Sequence, residues 1–160
     1  NGFKSICFFT EKIDKNTVRE IRYKAFVDAI KNNPEIVGKT YTIEREKIHE
    51  ISMLLDEFSS TPEPRAVFAS NGLVQLSVLA AMKQKGYTLN DFGLCGYDDW
   101  DWMALIGSEG ITALNQDSYG LGKVSMEVLI ERLEGKLRPK EFKKIEVPGK
   151  LVVRGSTKQR

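Results

Sequence analysis

The 160-residue sequence predicts an α/β fold in which helices flank a doubly wound parallel sheet. The first observation is that short apolar runs of β-forming residues alternate with longer segments in which apolar residues recur at helical spacing. The second is a composition of 41% hydrophobic and 29% charged residues, which is typical of a globular domain and not of a disordered chain. The third is that the sequence has no internal repeats or low-complexity tracts, so the alternation describes one architecture.

Apolar runs bounded by polar or turn-forming residues predict the strands. The five strands expected in the parallel sheet are Ser5–Phe9, about Lys39–Ile43, Ala66–Ser70, Phe92–Tyr97 and Ile111–Asn115. A last strand pair is expected near Lys144–Val147 and Leu151–Arg154, on either side of the turn residues Pro148 and Gly149.

Four segments carry apolar residues at the i, i+3, i+4, i+7 spacing of a helix. They are Asp14–Asn32, Glu44–Phe58, Gly72–Lys85 and Ser118–Leu133. The third helix is apolar on nearly every side, so it either lies deep in a core or forms half of an interface. The single histidine, His49, lies in the charged stretch EREKIHE and is expected on the surface of the second helix.

Charge and composition exclude several function classes. Lys plus Arg is 24 against 22 for Asp plus Glu, a net charge of +2, and the charges are interspersed. A nucleic-acid surface would show a basic stripe, and the short tail Lys158–Arg160 is expected to be a solvated end. No apolar run approaches the roughly 18–20 residues of a membrane span, and we expect no signal peptide. Cys7 and Cys95 lie in apolar runs, which favours reduced core thiols and a cytoplasmic protein.

Polar side chains follow several of the predicted strands, at the edge where open α/β sheets bind ligands. Asn71 follows the third strand, Asp98 and Asp99 follow the fourth, and Gln116 follows the fifth. Arg22 lies in the second turn of the first helix, on its apolar stripe. These residues predict a cleft for a polar ligand, in which a carboxylate accepts hydrogen bonds from sugar hydroxyls.

Each residue also has a structural interpretation. Arg22 could extend along the edge of the apolar stripe to water. Asn71 could cap the helix that follows it without any contact to a ligand. Trp100 and Trp102 would suit a sugar face or an interface equally. No base-activated nucleophile, phosphate-binding glycine loop or metal-ligand cluster is visible, so we expect no catalytic residue, no metal, no cofactor and no enzyme.

The ordered motifs VFASNGLVQLSVLAAMKQKGY, GLCGYDDW, ITALNQDSYGLG and LVVRGST, together with RYKAF at Arg22–Phe26, cover almost the whole chain. In this order they resemble the effector-binding domain of the lactose-repressor/galactose-repressor family of bacterial transcription regulators. Three positions depart from the family pattern: Gly72 stands where an Asp is usual, Ala25 where a Gly is usual, and Ala113 where a Thr is usual.

The resemblance implies a periplasmic-binding-protein-like fold of class I, with two flavodoxin-like lobes of which this chain is a fragment. Residues 1–112 and 144–160 would form the C-terminal lobe, and residues 113–143 would be a crossover segment and helix of the N-terminal lobe. The DNA-binding helix-turn-helix and the first half of the N-terminal lobe would be absent. Arg22, Asn71 and Asp98 match the family's effector-contacting residues, and Gln116 matches a glutamine near the effector.

The expected function is therefore effector sensing in a cytoplasmic repressor, with a sugar, sugar acid or sugar phosphate as effector. The family forms homodimers through the third helix and the segment that follows Tyr97–Asp99. The resemblance therefore favours an interface or hinge role for Trp100 and Trp102. Operator DNA would bind only through the missing domain, and no membrane would be involved. The alternative is an exported periplasmic-type sugar-binding protein; a magnesium-dependent receiver built on Asp98 and Asp99 is a remote third.

Overall fold

The computed structural model describes residues 2–15, 17–138 and 142–158, and within them six strands form one sheet. The strands are β1 (Ser5–Thr10), β2 (Val37–Thr42), β3 (Arg65–Ala69), β4 (Phe92–Tyr97), β5 (Thr112–Asn115) and β6 (Lys150–Val152). Their order is β2-β1-β3-β4-β5-β6, with the first five parallel and β6 antiparallel to β5. The predicted doubly wound α/β fold is confirmed.

Four long helices connect these strands: α1 (Thr17–Lys31), α2 (Ile48–Phe58), α3 (Gly72–Lys85) and α4 (Ser118–Leu133). Two short 3₁₀ segments lie at Asp101–Leu105 and Gly155–Thr157. The predicted bounds of α3, α4 and β4 are confirmed to the residue.

Helices cover both faces of the sheet because successive strand residues point to opposite sides. Phe9 and Val67 lie on the side covered by α2 and α3 and are fully buried in the main apolar core. Phe8 points to the other side, where its ring stacks on Phe26 of α1 with 5.2 Å between centroids and also contacts Phe68. The arrangement leaves the carboxyl edge of the parallel strands open.

Two helices begin later than the sequence predicts. The first was expected from Asp14 but begins at Thr17, because Asp14 has a φ of +37° and leaves the helical region. The second was expected from Glu44 but begins at Ile48. Residues 44–47 form a turn instead, closed by a hydrogen bond of 3.1 Å from the Lys47 amide to the Glu44 carbonyl.

The strand predicted at Lys144–Val147 is wrong: the structure shows no regular element there. The edge beside β5 is taken by β6, so this segment has no described strand to pair with. It lies exposed beside α4, where Lys143 pairs with Glu131. Its partner in the prediction, Leu151–Arg154, is confirmed in part as the short strand β6.

The last described segment is fixed to the centre of the sheet by hydroxyl groups of the LVVRGST motif. The Ser156 hydroxyl donates to the Leu94 carbonyl at 2.5 Å and accepts from the Thr112 amide at 2.8 Å. The hydroxyls of Thr157 and Thr112 lie 2.6 Å apart. These side chains therefore join the chain's end to β4 and β5.

The third helix is buried on one side only. Val74, Val78 and Ala81 are fully buried in the core, whereas Leu73 and Leu76 remain 45% and 49% exposed on the opposite side. Helix α4 differs, because it buries no residue among those described. It exposes an apolar face that includes Met126, Leu129 and Leu133.

Candidate ligand-binding site

The carboxyl ends of β1, β3, β4 and β5 meet at one edge of the sheet, and polar residues come directly after them. Glu11 follows β1, Asn71 lies two residues after β3, Asp98 follows β4 and Gln116 follows β5. Arg22 reaches the same edge from the second turn of α1. The structure thus brings all four residues predicted from the sequence to one place.

A chain of hydrogen bonds connects Arg22 to Asp98 through Gln116. The Arg22 guanidinium donates to the Gln116 side-chain oxygen at 3.2 Å, and the Gln116 amide nitrogen donates to the Asp98 carboxylate. The same guanidinium donates to the Ser70 carbonyl at 2.7 Å and lies 3.9 Å from the centroid of the Tyr97 ring. Arg22 is therefore directed to the strand ends, and the interpretation of a side chain extended to water is wrong.

Asn71 has the helix-capping role that was one of the two interpretations of this residue, and its role in ligand binding stays a prediction. Its side-chain oxygen accepts from the Val74 amide at 2.9 Å, which caps the first turn of α3. Its amide nitrogen donates to Glu11 at 3.2 Å, across the gap between β3 and β1. The cap fixes the side chain, so the donor is held at the sheet edge.

Asp98 combines an uncommon backbone conformation with a carboxylate held at the edge. Its φ is +67°, a left-handed conformation that Asp and Asn tolerate better than other side chains with a Cβ. One carboxylate oxygen accepts from the Gly72 amide at 3.0 Å and the other from Gln116. Within the described ranges Asp98 forms no ion pair, so its remaining lone pairs are available to a hydroxyl donor.

The adjacent carboxylate of Asp99 has a different partner. Both of its oxygens accept from the Arg154 guanidinium, at 2.6 and 3.1 Å, and its side chain is only 10% exposed. Arg154 also donates to the Ile111 carbonyl at 2.8 Å. The two adjacent carboxylates therefore have separate partners: Asp98 contacts Gly72 and Gln116 at the sheet edge, and Asp99 pairs with Arg154.

Three charged residues of this edge were missed as site residues. The Glu11 carboxylate accepts from Arg19 at 2.5 Å and from Arg45 at 2.9 Å, in addition to Asn71. The rule that selected Asn71 and Asp98 could have found Glu11, because it directly follows a parallel strand. Arg45 lies in the loop after β2, and that position also marks the carboxyl edge.

The pKa of Glu11 lies below its ordinary value. Burial alone would raise it, but the hydrogen bonds from Arg45 and Asn71 and the charges of Arg19 and Arg45 outweigh that effect. A carboxyl whose folded pKa is lowered stabilises the fold above its unfolded pKa of about 4.3. That contribution is lost as the pH falls through the folded value.

We expect Glu11→Gln to lower the free energy of unfolding at pH 7 by about 1–2 kcal/mol, the size of hydrogen bonds to a charged group. Because the wild-type carboxyl is also neutral in acid, the difference should shrink as the pH falls below the unfolded pKa of about 4.3 and vanish below the lowered folded pKa. Urea unfolding at pH 7 and at pH 3 measures this. Glu20→Gln is the control, since Glu20 forms an exposed pair with Lys24 on α1. A difference from wild type that stays constant down to pH 3 would contradict the assignment.

Two tryptophans that are neighbours in sequence have different surroundings. Trp100 lines a pocket of about 310 Å³ together with Asp98, Gln116 and Tyr119. Trp102 lines a larger groove of about 810 Å³ that runs along the exposed side of α3, where it joins Leu76 and Ile106. The two rings meet edge to face, with 5.8 Å between their centroids.

Among the described residues no three His, Cys, Asp or Glu side chains are grouped as a metal site would require. Burial raises the pKa of the Cys7 thiol well above its ordinary value, which makes this free cysteine a poor nucleophile. No helix in the described part of the chain is long and apolar enough to span a membrane. The chemistry that the edge offers is hydrogen bonding to a polar ligand.

Comparison with known proteins matches residues 1–157 to the family model of the periplasmic binding protein-like domain. The HTH-type transcriptional regulator PtxS of Pseudomonas aeruginosa is 34% identical over 160 residues, covering 99% of this chain and 46% of the relative. The HTH-type transcriptional regulator KdgR of Bacillus subtilis is 31% identical, covering 97% of this chain and 46% of the relative. The chain thus spans about half the length of the curated relatives it matches.

Solved structures show the same fold. The dimeric lac repressor with a C-terminal deletion superposes with a TM-score of 0.77 at 19% identity, covering 98% of this chain and 56% of that one. A LacI family transcriptional regulator from Enterococcus faecium, solved with bound ribose, also gives a TM-score of 0.77, at 20% identity. It covers 98% of this chain and 57% of the solved chain.

Proposed function

Because the chain belongs to the periplasmic binding protein-like domain family, in the branch shared with the lactose-repressor/galactose-repressor regulators, we propose that it is the effector-sensing part of a bacterial transcriptional repressor. The observation that carries the proposal is the hydrogen-bonded line Arg22–Gln116–Asp98 at the carboxyl edge of the sheet. Effector binding would control how the whole polypeptide binds its operator. The relatives are regulators by name, which favours this function over an exported sugar-binding protein.

The proposed effector is a sugar, a sugar acid or a sugar phosphate. Arg22 supplies donors and Asp98 supplies acceptors, a combination that suits a ligand with several hydroxyl groups. Asn71 and Gln116 complete the proposed contacts. The ribose bound to the structural neighbour from Enterococcus faecium supports this class, since that protein has the same fold.

The proposed division into lobes follows the surroundings of the helices. Residues 1–112 and 144–160 would form one lobe; of residues 113–143, the first three complete β5 in the same sheet, and the rest would cross into the other lobe and return. Helix α4 supports this division, because its apolar face lies exposed and buries no described residue. A helix-turn-helix domain outside this chain would bind operator DNA, and such a repressor would act in the cytoplasm, where the DNA is.

We also propose that the regulator is a homodimer whose copies meet at the groove along α3. The groove is lined by apolar side chains that include Leu76, Leu79, Leu89, Trp102 and Ile106. Large exposed apolar surfaces of this kind mark interaction sites. The dimeric state of the lac repressor, which has this fold, supports a second copy as the occupant.

Leu76→Lys is expected to convert the dimer to a monomer, because it places a charge in the centre of the apolar groove without touching the core. Sedimentation velocity across protein concentration measures the change. Met53→Lys is the matched control: Met53 is 57% exposed on α2, away from the groove. A Leu76→Lys protein that remains dimeric would reject the groove as the interface.

The function is tested on the full-length polypeptide that contains this chain. Its thermal unfolding is followed with D-ribose, lactose, D-glucuronate and D-glucose 6-phosphate, one at a time. A compound that binds only the folded state stabilises it by about 2.7 kcal/mol at 100 times its Kd, which raises the midpoint by several degrees. A folded protein whose midpoint none of the four raises would overturn the proposal.

A further inference from the structure

The surroundings of Trp100 differ from those of the interface to which the family resemblance assigns it. Its ring is 36% exposed and lines the 310 Å³ pocket with Asp98 and Gln116, two residues of the proposed effector cleft. The pocket has the volume of a small ligand site. Trp102, and not Trp100, lines the groove along α3.

Gly72 fixes the position of the Trp100 ring. A Cβ atom at this position would lie 2.9 Å from Cζ2 of Trp100, closer than such atoms approach, so the indole packs directly on the glycine backbone. The amide of the same glycine donates to Asp98 at 3.0 Å. Gly72 therefore contacts both the Trp100 ring and the Asp98 carboxylate. At this position the family usually has an Asp.

The charges of the pocket favour an uncharged ligand group. Three carboxylates line it, those of Asp98, Asp99 and Asp117, and no lysine or arginine does so among the described residues. Only Asp99 is neutralised by an ion pair, with Arg154. An anionic group here would be repelled, whereas hydroxyl groups can donate to the remaining lone pairs of the Asp98 carboxylate.

We propose that Trp100 is a specificity-determining contact of the cleft, on which the uncharged, hydroxyl-bearing ring of the effector stacks while Asp98 accepts hydrogen bonds from the effector's hydroxyl groups. The apolar C–H face of a sugar ring suits the flat indole, and Tyr119, which is 84% exposed, lines the same pocket. A charged substituent of the effector lies on the Arg22 side, away from the three carboxylates. This inference rests on the proposed function and adds the ligand's orientation to it.

The test combines affinity with intrinsic fluorescence on the full-length polypeptide, titrated with D-ribose, lactose, D-glucuronate and D-glucose 6-phosphate. For each compound that binds, Trp100→Ala should weaken binding at least tenfold. Trp100→Phe keeps a ring and should bind within a few-fold of wild type. It should nevertheless lose the ligand-induced change in fluorescence, which Trp102→Phe, the matched control, should retain.

Gly72→Ala tests the same contact without removing the indole. Gly72 is the first residue of α3, so its backbone accepts alanine, but the added methyl group must displace Trp100. We expect at least a tenfold loss of affinity.

Wild-type affinity in Trp100→Ala, with binding lost in Asp98→Ala, would overturn the inference and leave the cleft in place. A ligand-induced fluorescence change that depends on Trp102 and not on Trp100 would also overturn it. A wild-type protein that binds none of the four compounds would remove both the inference and the proposed function.

Discussion

Asp98→Ala is expected to weaken binding of a sugar effector by at least about a hundredfold, the loss that follows when a site built to pair with a substrate hydroxyl can no longer do so. In the proposed function the carboxylate accepts from the effector, and in the structure it also accepts from the Gly72 amide and the Gln116 side chain. One substitution therefore removes a direct contact and releases two neighbours. The Kd, measured by calorimetric titration of the full-length polypeptide, reports the loss.

Asp98→Asn tests the contribution of the charge, and Asp101→Ala serves as the control. Asp98→Asn accepts the φ of +67° and keeps one oxygen acceptor, so it should bind with an affinity between those of wild type and Asp98→Ala. Asp101→Ala removes an exposed carboxylate three residues further along and should leave the Kd unchanged. Equal affinities of wild type and Asp98→Ala would exclude Asp98 from the site.

Asp99→Ala is expected to destabilise the fold by about 3 kcal/mol, because removing one member of a largely buried ion pair leaves the other charge without its partner. The Asp99 and Arg154 side chains are only 10% and 19% exposed, and their contact is bidentate. Arg154 also donates to the Ile111 carbonyl and so holds the chain's last segment beside β5. Urea unfolding followed by circular dichroism measures the difference.

The double variant Asp99→Ala with Arg154→Met provides the control for this pair. If the cost of the single substitution comes from an unpaired charge, removing both charges should recover part of the lost stability. Exposed Lys144 and Glu146 form an ion pair at 2.9 Å, and Glu146→Ala should have little effect. Additive losses in the double variant would show that the two side chains stabilise the fold independently.

Much of the fold was predictable because its signals are local. Helix α3 begins at the cap Asn71 and ends at Gly86, whose φ of +75° gives the left-handed termination that glycine favours, and both residues are visible in the sequence. The segment Lys144–Val147 also has local β character. Whether it forms a strand depends instead on which segment pairs with β5. That pairing is non-local, so the periodicity of the sequence does not predict it.

Site residues that directly follow a strand could be predicted from the sequence. Contacts between side chains that are distant in sequence could not. Position after a strand selected Asn71 and Asp98. The Glu11–Arg45 pair joins residues 34 positions apart and needed the three-dimensional arrangement. Trp100 and Trp102 have different surroundings because Trp100 precedes the 3₁₀ segment Asp101–Leu105 in an extended conformation, whereas Trp102 lies within that segment.

The two outer strands of the sheet have a consequence for how copies of this chain can associate. An unprotected edge strand can add a strand from another molecule, which leads to aggregation. Here one edge is the three-residue β6, which carries Lys150 and follows Pro148, and the other edge, β2, carries Lys39 at its centre. Short length, lysine and nearby proline all oppose strand addition. Amyloid-type growth from the sheet is thereby disfavoured, and the groove along α3 stays the proposed surface for association between copies.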